Sequence, residues 1–453
     1  MGKICIIGKY PPIQGGVSKA VYLTAHGLAK SGNEVHVVSN AEEVESSYQL
    51  MLSKKDQKKM SVSYEGGSVI YHGITDVNAP EFTHIPFTPA TESRLFGKGL
   101  EVLSNYGIDL IIGWYLQPYG VVAAQLSQAT RIPLALIHAG SDIGRLVNHP
   151  QLEHAYKFAF GQADYILSTL DSEPGRTLQK LGVPKEKIVE NIPGNYLSHY
   201  FSEKHPPIAI RDYRKTAKNW IKSLDISSDV KRQLIRQNKK SYHENRPTLA
   251  IYGKVGVVKG SFDLVHALGQ IAEEGYSFNF VTIPPGKTPT LSQYFKLINR
   301  YKKLAAQTFV FPPIPFWHIP SFISACDAVF FLERNFDIEF HTPQIPMEVM
   351  AGGSCLFCSK EIIDKQFYKS ILIDKNNYIE IEDPRNIPDF KQKVKKFLDK
   401  PHKMKSVGKR ARRTYLAIEN ALDKKYPFTK AVENILAQIR NNENTRKDSP
   451  VQK

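Results

Sequence analysis

In YGKVGVVKG, Tyr252 to Gly260, two lysines stand five positions apart with only glycine and valine between them. The run TLAI before them reads as a buried strand, and SFDLVHALGQIAEEG after them reads as a helix. Lys254 and Lys259 therefore fall where a strand hands over to a helix. Bare amides and the positive end of the helix dipole gather at such a turn, and two ammonium groups there suit an anion. A second turn of this kind follows the first strand, where Gly15 and Gly16 in GKYPPIQGGVSKA open a helix. His138 in LALIHAGSD ends an apolar strand, with Ser141 and Asp142 next to it as candidates to cap the following helix. The bland alternatives are a solvated loop for the lysines, a plain turn for the glycines and a structural role for the histidine.

Several chemistries are disfavoured. A dinucleotide fingerprint needs GxGxxG and an acid ending the second strand; the first loop lacks that spacing, and the second strand ends in Ser39-Asn40. Cys355 and Cys358 form a CxxC in GGSCLFCSKE, but that stretch reads as a short strand. Residues three apart on a strand point to opposite faces, which argues against a shared metal. The net charge of +16 asks for an anionic partner. The basic stretches RDYRKTAKNWIKSL and KQKVKKFLDKPHKMKSVGKRARRTY lack the interleaved aromatics of a base-stacking platform, so nucleic acid ranks last. In YRKTAKNWIKSL, Trp220, Ile221 and Leu224 share a helical stripe flanked by Lys215, Lys218 and Lys222. That pattern suits a helix on an anionic membrane surface, or an amphipathic helix packed on the protein. No run approaches the ~18 apolar residues of a transmembrane helix. MGKICIIG is too short an apolar stretch for a signal peptide. The expectation is a cytoplasmic protein, with peripheral contact at the inner face of a membrane as its extension.

These residues must be held by a frame. In the N-terminal half the apolar runs KICIIG, EVHVVS, DLIIGWY, PLALIHA and YILST alternate with helical patterns, interrupted by the hairpin-like SVSYEGGSVIYHGI. A second array follows: TLAIYG, NFVTIP, TFVFPP, AVFFLE, SCLFCS and SILIDK. Such alternation predicts two α/β doubly wound domains of mostly parallel strands, with a cleft at the carboxyl ends of their strands. The expected boundaries are 1–200 for the first domain, 201–246 for a basic interdomain segment and 247–415 for the second domain. A C-terminal helix over 416–437 packing back across the domains and a disordered tail over 438–453 complete the plan.

PPIQGGVSKAVYLTAHGLAKSGNEVHVVS resembles the opening of the family-4 retaining glycosyltransferases, and DSEPGRTLQKLGVPKEKIVENIPGN resembles the segment that ends their acceptor domain. Their basic residue, four variable residues and Lys-Gly match Lys254-VGVV-Lys259-Gly260. The resemblance covers most of residues 1–415 and implies the GT-B fold, two facing Rossmann-like domains with an acceptor domain first and a donor domain second. It implies that Gly15, Gly16, Lys254 and Lys259 meet the diphosphate of a UDP- or GDP-sugar, that Glu348 holds the ribose hydroxyls, and that His138 lies near the sugar. The family usually has an acid eight residues before the ribose glutamate; here that position is Phe340, with Glu339 beside it, and Pro343 stands where glycine is frequent. Glu339 fills the sugar-binding role by a one-residue shift, or the donor sugar is contacted differently, or the donor site is impaired. Asp337-Ile338-Glu339 imitates a metal-binding motif, but a GT-B enzyme needs no catalytic metal and no cofactor beyond its donor.

The expected function is transfer of a sugar from a nucleotide-diphosphate sugar to an acceptor hydroxyl with retention, in glycan or cell-envelope polysaccharide or glycolipid synthesis. The acceptor would be a glycan, a lipid-linked molecule or a small molecule. A non-catalytic nucleotide-sugar-binding protein and a sugar-nucleotide epimerase of the same fold remain as alternatives.

Overall fold

The computed structural model describes residues 2–41, 44–74, 91–190, 197, 199–336, 342–422 and 426–448. Two compact units divide the chain: Met1–Glu43, Leu52–Tyr196 and Asp423–Lys453 form the first, and Val44–Met51 with Leu197–Leu422 form the second.

The first unit is built on strands β1 (Lys3–Gly8), β2 (Glu34–Ser39), β3 (Val62–Tyr64), β4 (Gly67–Gly73), β5 (Leu110–Trp114), β6 (Leu134–Ile137), β7 (Tyr165–Ser168) and β8 (Ile188–Glu190). They form one sheet in the order β3-β4-β2-β1-β5-β6-β7-β8. The central strands are continuous apolar runs because helices cover both faces, and they pair in parallel. Only β3 runs antiparallel, to β4, as the hairpin SVSYEGGSVIYHGI anticipates. The helix Pro427–Asp448 belongs to this unit. Its Phe428 ring lies edge-on to Trp114 at 4.7 Å, and Thr429 fills the space a side chain at Gly27 would need. That helix runs on to Asp448, well into the stretch expected to be a disordered tail.

The second unit carries β9 (Thr248–Tyr252), β10 (Asn279–Ile283), β11 (Thr308–Val310), β12 (Ala328–Phe331), β13 (Cys355–Ser359) and β14 (Ile379–Ile381). All neighbours are parallel, in the order β11-β10-β9-β12-β13-β14. The winding reverses between β9 and β12, and ligands of such sheets bind outside the carboxyl ends at that point.

Two expectations need correction, and the two readings of the Trp220 stripe are decided. Residues 201–246 are not a separate connection; their helices Arg214–Ser223 and Ser228–Asn238 are part of the second unit. Trp220, Ile221 and Leu224 are almost wholly buried in its core with Leu264, Phe278 and Phe295, so this stripe cannot reach a membrane. SILIDK does not form a strand; the place beside β13 goes to Ile379–Ile381. Cys355 and Cys358 lie in different core clusters, as period-two geometry requires, and all four cysteines are buried thiols. No helix of the described residues is long and apolar enough to cross a membrane.

Candidate functional site

At the end of β9 the chain must turn at once into the helix Ser261–Glu273, and two glycines allow it. Gly253 has φ 103° and Gly260 φ 65°, left-handed values that side chains resist. A Cβ on Gly260 would also meet the Leu332 carbonyl at 2.3 Å. Between them the loop closes on itself, since the Gly256 N–H donates to Ser261 Oγ at 3.0 Å and that hydroxyl donates back to the Gly256 carbonyl at 3.0 Å. From the end of β12, the Arg334 N–H donates to the Val258 carbonyl at 2.8 Å, and the Arg334 guanidinium pairs with Asp263 at 2.9 Å.

This frame fixes both lysines. Lys259 Nζ forms an ion pair with Glu333, a carboxylate only 3% exposed just beyond β12, and lies 4.4 Å from the centre of the Phe336 ring. Lys254 Nζ lies over the Tyr48 ring at 5.9 Å. Tyr48 belongs to the short segment Val44–Met51, which is pinned to the second unit by Ser47 Oγ donating to the Gly286 carbonyl at 2.8 Å and the Met51 N–H donating to Pro313 at 3.0 Å.

Glu348 arrives from the helix Ile345–Gly352, and the phenol of Tyr252, the last residue of β9, donates to its Oε2 at 2.8 Å. Burial, then the Glu348 charge, push the Tyr252 phenol far above its usual range, so it stays a donor. Lys254 and Lys259 thus follow the carboxyl end of β9, whose last residue holds Glu348, and Lys259 meets Glu333 just beyond β12. Glu339 and its neighbour Phe340 lie outside the described residues. Sequence reasoning missed Glu333 and Tyr252. The available signal was an acid ending the apolar run AVFFL and a tyrosine ending TLAI.

In the first unit Gly15, at φ 135°, precedes the helix Gly16–Lys30, whose first turn has no side-chain cap and no acid. A Cβ on Gly16 would meet nothing within 4 Å, so packing does not require glycine there. His138 follows β6, and its Nε2 is 3.0 Å from Ser168 Oγ at the end of β7. The residue is half-buried, but its Nδ1 is shielded from solvent and lacks a hydrogen-bond partner. Burial pushes the imidazole down to about 4, so it is neutral at physiological pH. Asp142 is fully buried and caps the short helix after His138, its Oδ2 accepting from the N–H groups of Ala139 at 2.9 Å and Leu116 at 3.1 Å. Among the described residues no cluster of His, Cys, Asp and Glu is arranged to hold a metal ion.

These two titrations oppose each other. Burial pushes the Asp142 carboxyl from 3.8 up to about 7, against the pull of its two amides and Lys9. The folded state keeps a proton the unfolded chain has lost, so this contribution is complete below pH 3.8 and disappears as pH rises through about 7. His138, like the half-buried His72, falls from 6.5 to about 4 and contributes the other way, losing its share as pH drops through that window. Asp142→Asn is therefore expected to unmask the histidines, so that urea-unfolding stability rises from pH 4 to pH 6.5 more steeply than in the wild type. An unchanged slope would refute the assignment.

No family model matches the chain, and no curated protein matches it. Solved structures do. Sucrose-phosphate synthase from Thermosynechococcus elongatus superposes with a TM-score of 0.57 at 15% identity, covering 98% of this chain and 100% of that one. HepE of Anabaena in complex with UDP-glucose gives 0.57 at 14%, covering 97% and 100%. The catalytic domain of starch synthase IV from Arabidopsis thaliana, bound to ADP and acarbose, gives 0.54 at 14%, covering 96% and 99%. The chain has the α/β GT-B fold of these glycosyltransferases, with two parallel-sheet domains.

Proposed function

We propose that this protein is a retaining glycosyltransferase of the family-4 type, moving a sugar from a nucleotide-diphosphate sugar to an acceptor hydroxyl. The observation that carries the reading is the placement of Lys254, Lys259 and Glu348 where the second sheet reverses its winding. In this reading the lysines neutralise the departing diphosphate, supplying with fixed cations the stabilisation a metal gives elsewhere. The diphosphate competes with Glu333 for the Lys259 ammonium. Glu348, oriented by Tyr252, takes the ribose hydroxyls. Gly15, Gly16 and His138 keep the roles the resemblance implies, near diphosphate and sugar, and neutral His138 offers a hydrogen bond without a charge. Glu339 takes the sugar by the one-residue shift. The acceptor attacks the face the diphosphate leaves, with a donor phosphate oxygen as base, so no protein nucleophile is required. The product belongs to glycan, polysaccharide or glycolipid synthesis.

A second reading, nucleotide-sugar binding without turnover, is favoured by the Lys259–Glu333 pair, which already satisfies one donor-site cation. Thermal-shift screening of UDP-, GDP- and ADP-sugars, followed by mass spectrometry of products with an acceptor panel, separates them. The transferase reading expects free nucleotide diphosphate and a glycosylated acceptor with the donor's anomeric configuration. Donor binding with no product across the panel supports the binding protein. An altered nucleotide sugar formed without acceptor supports the epimerase.

A further inference from the structure

The apolar run SILIDK, displaced from the sheet, crosses the surface of the second unit in a loop that is firmly held. Gln366, Tyr368, Asn377 and Tyr378 are buried beneath it. Asn377 Oδ1 accepts from the Ile373 N–H at 2.8 Å, and its Nδ2 donates to the Ile371 carbonyl at 2.9 Å and to Thr414 Oγ1 at 3.0 Å. Arg410 Nε donates to the Asn376 carbonyl at 2.8 Å, so the helix Pro401–Ala421 clamps the loop at two points. On the outer side Phe367 is 60% exposed, Ile371 42% and Ile373 57%. Among the described residues only Tyr106, Val257 and Val258 are large apolar side chains similarly exposed, and two of those lie in the lysine loop. A fixed loop that turns a phenylalanine and two isoleucines to water marks a docking surface.

The charges around it favour one kind of partner. Lys369 is exposed within the loop, and Lys375 is exposed at its end. The loop's acids already have lysines beside them: Asp364 has Lys360 at 3.4 Å, Glu361 has Lys365 at 2.9 Å, and Asp374 has Lys375 at 3.5 Å. On the clamping helix, Lys409 and Arg413 are exposed immediately before the two residues that hold the loop, and no acid occurs from 400 to 418. A second copy docked on the same patch would set cations against cations. Exposed apolar side chains on a loop that carries lysine, held by a helix that carries lysine and arginine, fit the boundary between anionic headgroups and acyl chains.

We propose that Phe367, Ile371 and Ile373, with Lys369 in the same loop and Lys409 and Arg413 on the helix that clamps it, form the surface by which this protein docks on an anionic lipid membrane. The proposal stands apart from the transferase reading, because the assay contains no donor. The full chain is sedimented with vesicles of phosphatidylcholine alone and of phosphatidylcholine with phosphatidylglycerol, at low and high salt. Binding is expected only to the anionic vesicles and weakened by salt. Phe367→Ser with Ile373→Ser should lower the partition coefficient at least tenfold, and Lys369→Ser with Lys409→Ser about thirtyfold at ~1 kcal/mol per cation. Every substituted residue is exposed, so unfolding midpoints should match the wild type and a lost interaction can be told from a lost fold. Equal recovery with both vesicle types, or partition unchanged in both double variants, overturns the proposal. So does a concentration-dependent dimer in sedimentation velocity that Phe367→Ser with Ile373→Ser dissociates, since the patch would then be an interface between copies.

Discussion

Lys259→Ala is expected to slow sugar transfer about 100-fold, the loss of ~3 kcal/mol that follows when one charge-assisted contact to a departing anion is removed. The effect should fall on the chemical step more than on the affinity for bare nucleotide, because charge accumulates on the diphosphate as the bond to sugar breaks. The substitution also removes the cation facing Glu333, whose carboxylate is 3% exposed. Removing one charged partner of a nearly buried carboxylate costs roughly 1–3 kcal/mol of stability. Adding Glu333→Gln should restore most of that stability, because an amide needs no counter-ion, without restoring transfer. Single-turnover kinetics beside urea unfolding tests both halves. A Lys259→Ala protein that transfers sugar at the wild-type rate would sink the diphosphate assignment.

Trp220→Ala is expected to lower unfolding stability by roughly 3–5 kcal/mol, the range for emptying a large aromatic site in a core. Trp220 is 1% exposed among Leu264, Phe278 and Phe295, on a helix whose lysines face water. Its indole N–H has no hydrogen-bond partner, so the loss is one of packing. Trp220→Phe, which keeps much of the volume, should cost much less. A shift below ~1 kcal/mol for Trp220→Ala would place the helix on the surface, and weaker vesicle binding at unchanged stability would revive its membrane role.

Much of the frame is readable along the chain. Strands buried on both faces must be continuous apolar runs, so KICIIG, TLAIY and AVFF announce themselves without knowledge of their neighbours. The sharp entry into the helix after β9 needs left-handed residues, which Gly253 and Gly260 supply, and Lys254 and Lys259 are carried between and beside them. Opposite-facing Cys355 and Cys358 follow from the period of a strand alone.

The remainder depended on what each segment meets. An amphipathic stripe says that Trp220 is covered on one side, not whether protein or lipid covers it; that was settled by the core the helix packs against. SILIDK and YIEIE are both plausible strands, and only one place exists beside β13; Ile379–Ile381 takes it, leaving Ile371 and Ile373 in water. Lys259 and Glu333 are separated by 74 positions, and Tyr252 and Glu348 by 96. Local sequence therefore determined which elements form and which turns they need, because those depend on backbone geometry and on apolar period within a few residues. Which carboxylate faces which cation was decided by the order of strands in the sheet, since parallel crossovers set side by side residues that no local pattern connects.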